Sequence, residues 1–152
     1  MVSPEVIRRY PYFSGLSIDR INLLANIVEE VESEQGQYFH QEGDPISKVY
    51  IIVEGEVSLV TTLPQQGKEV VINTFGTGDV FGWTSLIPPF TAGAGAKSVT
   101  NCKLLEFDAD ELRAKFEDDY EFGYLMMMKI AQIIRERLDS IVIETLAYQA
   151  EQ

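Results

Sequence analysis

The chain has 152 residues and carries 12 basic against 24 acidic side chains, which gives a formal net charge of −12. A strongly acidic surface repels phosphate backbones, so nucleic-acid binding by this chain is not expected. The hydrophobic content of 45% excludes a disordered polypeptide, and the length is typical of a single domain over residues 1–152. With one cysteine, Cys102, and one histidine, His40, neither a disulfide nor a zinc site is expected.

Membrane association is also disfavoured by the sequence. No apolar run approaches the ~20 residues that a membrane-spanning helix needs. The first five residues, Met-Val-Ser-Pro-Glu, lack the basic and apolar regions of a signal peptide. These features predict a cytoplasmic protein with no membrane partner, no metal and no cofactor.

Residues 1–30 contain two helix signals. Ser3 followed by Pro4 is typical of a helix start, and this first helix is predicted to end near Pro11. A second start lies at Ser17, and its helix is predicted to end by Glu30. The apolar side chains of the second helix recur three or four positions apart, which predicts one buried face: Ile18, Ile21, Leu24, Ala25 and Val28.

Residues 31–107 change to an alternating pattern of apolar and polar side chains. Turn signals recur every eight to twelve residues, as expected for a β-sandwich or barrel. Pro64–Gly67 predicts a hairpin tip, and the apolar residues Leu104, Leu105 and Phe107 predict the last strand. The predicted class is α+β, a jelly-roll β-barrel preceded by short helices and followed by a long helix.

Residues 108–152 are predicted to be helical. Asp108 with Glu111 resembles a capping box for a short helix through Phe116. Asp118 with Glu121 does the same for a longer helix that runs from Tyr120 almost to the end of the chain. Apolar residues of the long helix follow the spacing of a coiled-coil seam, which predicts a homodimer: Met127, Ala131, Ile134, Leu138 and Ile141.

The stretch from Gly76 to Thr100 has a composition that neither neighbouring part shares. Gly78–Gly82 predicts a turn, a short strand and a second turn, and Trp83–Ile87 can form one helical turn before Pro88-Pro89 stops it. The small residues of Thr91–Ala96 then allow another group to approach the backbone closely. Free amides after the glycine turn would suit an anion, and the alternative is a plain surface loop.

Three motifs at their joint spacing resemble the cyclic-nucleotide-binding domain family over roughly residues 12–143. They are Phe39–Asp44, Val49–Val57 and Gly78–Gly82. The resemblance implies that the stretch described above is the cassette that holds the phosphate and ribose of cyclic AMP or cyclic GMP. It also implies that the long helix is the dimer contact and the lid. The ligand-binding residues implied in this way are Phe81, Gly82, Trp83, Thr84, Ser85, Leu86, Gly93, Ala94 and Gly95.

The chain departs from the family pattern at both ionic positions. Trp83 stands where nucleotide binders carry a glutamate for the ribose, and the arginine that faces the phosphate is replaced near Gly93 and Ala94. Each lost charge-assisted hydrogen bond weakens binding by about 1.5 to 3 kcal/mol. We therefore expect cyclic AMP and cyclic GMP to bind no tighter than roughly 100 μM, given a micromolar parent affinity. Lys97, a cation in this stretch, is expected to be solvated.

Three hypotheses about function remain open from the sequence. The first is a non-catalytic sensor whose ligand is not the usual cyclic nucleotide, with Trp83 as a stacking face and Thr84 and Ser85 as hydrogen-bonding groups. The second is a dimeric interaction scaffold without a ligand, and the third is a cyclic-nucleotide binder with an atypical cassette. Since the sequence shows no DNA-reading domain after the long helix, we expect the module to signal through a protein partner or to have an output that the sequence does not show. A cupin-type metalloenzyme is a further alternative, but such sites use several histidines.

Overall fold

The computed structural model describes residues 1–151 and forms two compact units, Met1–Ala114 and a second unit that begins at Lys115. The first unit contains eight β-strands in the described part of the chain. They are β1 (Glu29–Ser33), β2 (Tyr38–His40), β3 (Lys48–Glu54), β4 (Val57–Thr62), β5 (Glu69–Phe75), β6 (Val80–Phe81), β7 (Gly95–Ser98) and β8 (Cys102–Asp108). They form two antiparallel four-stranded sheets in the orders β1-β8-β3-β6 and β2-β7-β4-β5, which confirms the predicted jelly-roll class.

One apolar cluster joins strands of the two sheets. Its buried members come from β3, β4, β5 and β6 and from β7 and β8, so both sheets contribute to it. They are Tyr50, Ile52, Val57, Phe75, Phe81, Ala96, Cys102 and Leu104. Cys102 lies at the end of this cluster, where its thiol donates to the carbonyl groups of Glu56 and Thr100 at 3.3 Å. A Cβ atom at Gly55 would lie 2.7 Å from the Cys102 Sγ, so this turn closes directly over the thiol.

The N-terminal helices are α1 (Pro4–Arg8) and α2 (Ile18–Ile27), with a short 3-10 helix at Pro11–Phe13 between them. Ser17 caps α2 as predicted, because its hydroxyl accepts from the Arg20 amide at 3.3 Å. Ser3 occupies the equivalent position of α1 but makes no side-chain cap. Strand β1 begins at Glu29, so the second helix ends before the predicted limit.

Helix α3 (Ala109–Asp118) starts at the predicted cap, since Asp108 Oδ1 accepts from the Glu111 amide at 3.0 Å. It ends two residues beyond the predicted Phe116. Helix α4 (Tyr120–Ala150) has the predicted length, but the prediction of Asp118 as its cap was wrong. Asp119 caps it instead, with Oδ1 accepting from the Phe122 amide at 3.2 Å.

Helix α4 has two halves with different burial. Phe122, Met126 and Ile130 in its first half are buried, and Phe122 contacts Phe116 edge to face at 5.1 Å between ring centroids. Every described residue from position 138 onward is exposed. The seam therefore runs from the half-buried Met127 onto a solvent-facing surface that includes Ala131, Ile134, Leu138 and Ile141.

Candidate functional site

The cassette begins at position 82, where only a residue without a side chain fits well. Gly82 follows β6 and has a φ of 79°, in the left-handed region. A Cβ atom there would lie 2.5 Å from the carbonyl oxygen of Lys48. The turn at Gly82 thus allows the backbone to pass directly over β3 before the 3-10 helix Trp83–Leu86 begins.

Ser85 is fully buried and does not offer the groups predicted for a ligand. Its hydroxyl donates to the Gly82 carbonyl at 2.6 Å and lies 3.3 Å from the Lys48 carbonyl. Its amide also donates to the Gly82 carbonyl, at 3.1 Å. In this conformation both polar groups of Ser85 stabilise the turn that they belong to, and its role as a ligand donor stays a prediction.

The other residues of the short helix differ in exposure. Leu86 is buried, whereas Trp83 and Thr84 are half-buried. Phe81, which precedes the helix, is buried and stacks on Tyr50 with ring centroids 4.9 Å apart. Trp83 and Thr84 remain the residues of this helix with partly accessible side chains, while Phe81 and Leu86 hold it against the core.

The second part of the cassette is fixed to the loop between β2 and β3. The Ala92 amide donates to the Asp44 carbonyl at 2.8 Å, and the Ala92 carbonyl accepts from the Gly43 amide at 2.9 Å. The Ile46 amide donates to the Phe90 carbonyl at 3.0 Å. This loop, whose contribution was not predicted, therefore sets the path of the cassette between its helix and β7.

Gly93, Ala94 and Gly95 lie in three different environments. Gly95 is buried, and a Cβ atom there would meet a methyl group of Val60 at 3.0 Å. Gly93 is exposed, and nothing lies within 4 Å of the position of its missing Cβ atom. Ala94 is half-buried. Gly95 is thus a packing residue, whereas Gly93 has room for a longer side chain.

His40 lies at the end of β2 and contacts the cassette backbone. Burial lowers the pKa of its imidazole below the usual value, and two weaker effects oppose this shift. They are the Asp44 carboxylate and a hydrogen bond from the ring to the Ala94 carbonyl. His40 therefore supports the cassette at Ala94, in agreement with the structural role predicted for it.

Lys97 is engaged on the sheet that contains β7. Its Nζ lies 3.5 Å from Glu69 Oε1 and 5.1 Å from the centroid of the Tyr38 ring. Tyr38 also donates to Glu69 at 2.5 Å, and this hydrogen bond lowers the pKa of the Glu69 carboxyl. The partly exposed side chain of Lys97 agrees with the solvated residue that was predicted, and its ammonium also has an anionic partner in Glu69.

A small cavity of about 100 Å³ lies on the strand side of the cassette. Its lining includes Phe39, His40, Pro45, Ile46, Ser47, Lys48 and Tyr50. Burial and the neighbouring Glu106 carboxylate raise the pKa of the Tyr50 hydroxyl. The Lys48 ammonium lies 3.3 Å from Asp108 and 3.8 Å from Glu106. The cavity is smaller than the ~300 Å³ at which drug-sized ligand sites begin, and its lysine is neutralised.

A larger depression of about 540 Å³ lies away from the cassette, between the ends of β1, β3 and β8. Glu32, Glu34 and Glu54 line it, and Lys103 lies 3.6 Å from Glu54. Three carboxylates disfavour an anionic ligand at this place. Size alone would favour this depression, but the chemistry of an anion site does not.

The sequence of this chain matches a known protein family. The profile of the cyclic nucleotide-binding domain matches residues 30–119, which include all eight described strands except the first residue of β1. The CRP-like cAMP-activated global transcriptional regulator of Mycobacterium tuberculosis is 27% identical over 131 residues. That match covers 86% of this chain and 58% of the regulator, so the chain spans little more than half of that relative.

Two further relatives have different whole-protein contexts. A potassium channel of Oryza sativa subsp. japonica is 30% identical over 87% of this chain, which corresponds to 18% of the channel. The crystal structure of the N-terminal domain of a transcriptional regulator from Streptomyces coelicolor superposes with a TM-score of 0.71 at 28% identity. It covers 90% of this chain and 94% of that domain.

Two features of other protein classes are absent from residues 1–151. None of the described helices is long and apolar enough to cross a membrane. Among the same residues, no group of three or more His, Cys, Asp or Glu side chains is placed to hold a metal ion.

Proposed function

The chain belongs to the cyclic nucleotide-binding domain family, and from this premise we propose that it is a regulatory module whose ligand is not cyclic AMP or cyclic GMP. Regulators and channels among its relatives carry such a domain as one part of a longer protein. We further propose that the module acts as a homodimer and passes its signal to a protein partner.

The observation that carries the proposal is the absence of an accessible charged side chain at the matched cassette positions. Trp83 occupies the position of the ribose acceptor, and the exposed Gly93 lies near that of the phosphate partner. Lys97 is held by Glu69, and the Ser85 amide and hydroxyl are used within the turn. A cyclic phosphate in such a site would lose its hydration and gain no ionic partner, so its binding would be weak.

Trp83 indicates which chemistry would replace that of a ribose and a phosphate. A half-buried indole presents a flat apolar ring, and Thr84 adds a hydroxyl beside it. These groups suit an uncharged or weakly charged ring better than a phosphodiester. The ligand class proposed is therefore a planar molecule with few charges.

Isothermal titration with cyclic AMP and cyclic GMP tests the proposal, and both should bind no tighter than roughly 100 μM because two charge-assisted bonds are missing. Native mass spectrometry of protein purified without added ligand should then show a carried-over small molecule. A micromolar constant for either nucleotide would contradict the proposal and favour an atypical cyclic-nucleotide binder.

A second candidate function is a dimeric scaffold that has no ligand. The exposed apolar side chains in the distal half of α4 favour it, because they support assembly whether or not the cassette is occupied. Native protein that carries no small molecule, shows no affinity for either nucleotide and still sediments as a dimer would support the scaffold over the sensor.

A further inference from the structure

Phe90 lies at the tip of the cassette loop in a backbone conformation that side chains rarely adopt. Its φ is 61°, and aromatic residues are disfavoured in this left-handed region. Its amide donates to the Ile87 carbonyl at 2.9 Å, and its carbonyl accepts from the Ile46 amide at 3.0 Å. A residue in such a conformation persists when its surroundings hold it there.

Arg113 supplies a contact that can hold this loop from outside the cassette. The carbon at the centre of its guanidinium lies 4.0 Å from the centroid of the Phe90 ring, well within the ~6 Å range of a cation–π interaction. Arg113 also forms an ion pair with Asp110, one turn earlier on α3. The guanidinium thus has an ion pair at one nitrogen and an aromatic ring over its face.

The hydrogen bonding of Arg113 indicates that the ring contact is what positions its side chain. The Nε atom is shielded from solvent and has no hydrogen-bond partner within residues 1–151. Leaving a guanidinium donor buried and unpaired is unfavourable, so another interaction must compensate for it. Stacking on Phe90 is the contact that the structure provides.

We propose that Arg113 is a positioning residue for the ligand site: its stacking on Phe90 clamps the loop Ile87–Ala92 in the conformation that the cassette needs. Arg113 is not among the ligand-binding residues that the family resemblance implies, because Arg113 lies on α3 and not in the cassette. The clamp rests on the proposed function in one respect, that this loop borders the ligand.

Amide hydrogen exchange on the full chain, without ligand, tests the clamp. Arg113→Ala should accelerate exchange at the Ile46 amide, which donates to Phe90, by roughly 2- to 30-fold, the range that a cation–π contact supplies. The Ile52 amide, which donates to the Asp79 carbonyl, should keep its wild-type rate because it lies away from the clamp. A role in overall stability alone would accelerate both amides together.

Three further variants separate the ring contact from the charge. Phe90→Leu should reproduce the local acceleration because it removes the aromatic face. Asp110→Asn should have less effect, since the stacking remains when the ion pair is lost. Arg8→Ala is the matched control, because Arg8 is paired with Glu5 three residues earlier on α1 and is not part of this clamp.

Unchanged exchange at Ile46 in both Arg113→Ala and Phe90→Leu would overturn the clamp, as would equal acceleration at Ile46 and Ile52. Should Arg113→Ala fail to fold, Phe90→Leu against Asp110→Asn still decides between the two interactions. The measurement needs no ligand, so its failure leaves the proposed function open. Conversely, a protein without any ligand would overturn the proposed function and not the clamp.

Discussion

The cassette and the distal half of α4 differ in how far one chain completes them. In the cassette, the Ser85 hydroxyl, the Ala92 backbone and the Lys97 ammonium all find partners within the same chain. In the distal half of α4, Leu138 and Ile141 are 58% and 56% exposed. The cassette thus has most of these polar groups paired within the chain, whereas the helix presents an exposed apolar surface, on which the proposed dimer rests.

Breaking the helix surface should have the largest effect. Leu138→Glu with Ile141→Glu places four carboxylates in the seam of a dimer, and the dissociation constant should rise at least about 1000-fold because buried unpaired charges are costly. Sedimentation velocity at tens of micromolar measures the change, and circular dichroism should show that each β-roll stays folded.

The control for this pair is Ile143→Glu with Leu146→Glu. These side chains are 66% and 64% exposed and lie off the seam, so the control matches the first variant in charge and exposure. It should leave the dimer intact. Equal dissociation of both variants would contradict the seam, and so would a wild-type protein that sediments as a monomer.

The glycine turn that starts the cassette comes next in expected size. Gly82→Ala introduces a Cβ atom 2.5 Å from the Lys48 carbonyl at a φ of 79°, and the free energy of unfolding should fall by about 3 kcal/mol. Gly93→Ala has open space at the same atom and should change it by less than about 1 kcal/mol. Urea denaturation distinguishes these two glycines, and equal losses would mean that the turn at Gly82 relaxes.

Restoring the ionic pair sharpens the comparison within the cassette. Trp83→Glu with Gly93→Arg should improve the affinity for cyclic AMP by about a hundredfold or more, since each of the two charge-assisted bonds contributes at least about 1.5 kcal/mol. The open space at Gly93 admits the arginine. Trp83→Gln with Gly93→Gln matches the new side chains approximately in size without their charge. Equal affinity of the two double variants would indicate a loop remodelled for another ligand.

The pH dependence of stability should change least. Burial lowers the pKa of His40 below 6.5, so the unfolded chain binds more protons between the folded and unfolded pKa values. This contribution is fully present above pH ~6.5 and is lost as the pH falls through the folded pKa. His40→Gln should flatten that part of the profile by less than about 1 kcal/mol, as measured by urea midpoints from pH 5 to 7.5. An unchanged slope would mean that other groups dominate.

Much of the fold could be predicted because it depends on local signals. Alternation and turn residues indicated the β-roll, and Ser17 and Asp108 marked helix starts that the structure confirms. The cap of α4 was predicted one residue too early, because the capping-box spacing to Glu121 favoured Asp118 over Asp119. Which of the two caps the helix depends on where its first turn begins, and this is a tertiary property.

The cassette was harder to predict in detail. The sequence shows that Ser85 has a hydroxyl, but it does not show that this hydroxyl donates a hydrogen bond to the Gly82 carbonyl. The same holds for Phe90 and Arg113, whose contact joins a loop to a helix that begins after two further strands. Contacts between distant residues leave no periodic signal, so the supporting residues of the site appear only in three dimensions.

The thiol of Cys102 offers a consequence for measuring how the β-roll opens. It is the single cysteine of the chain, and it is buried beneath the turn at Gly55. Because only 3% of Cys102 is exposed, a thiol-reactive dye should modify it mainly after this turn and the start of β8 separate. When labelling is faster than reclosing, the labelling rate equals the opening rate. The cysteine therefore reports how fast this end of the sandwich opens.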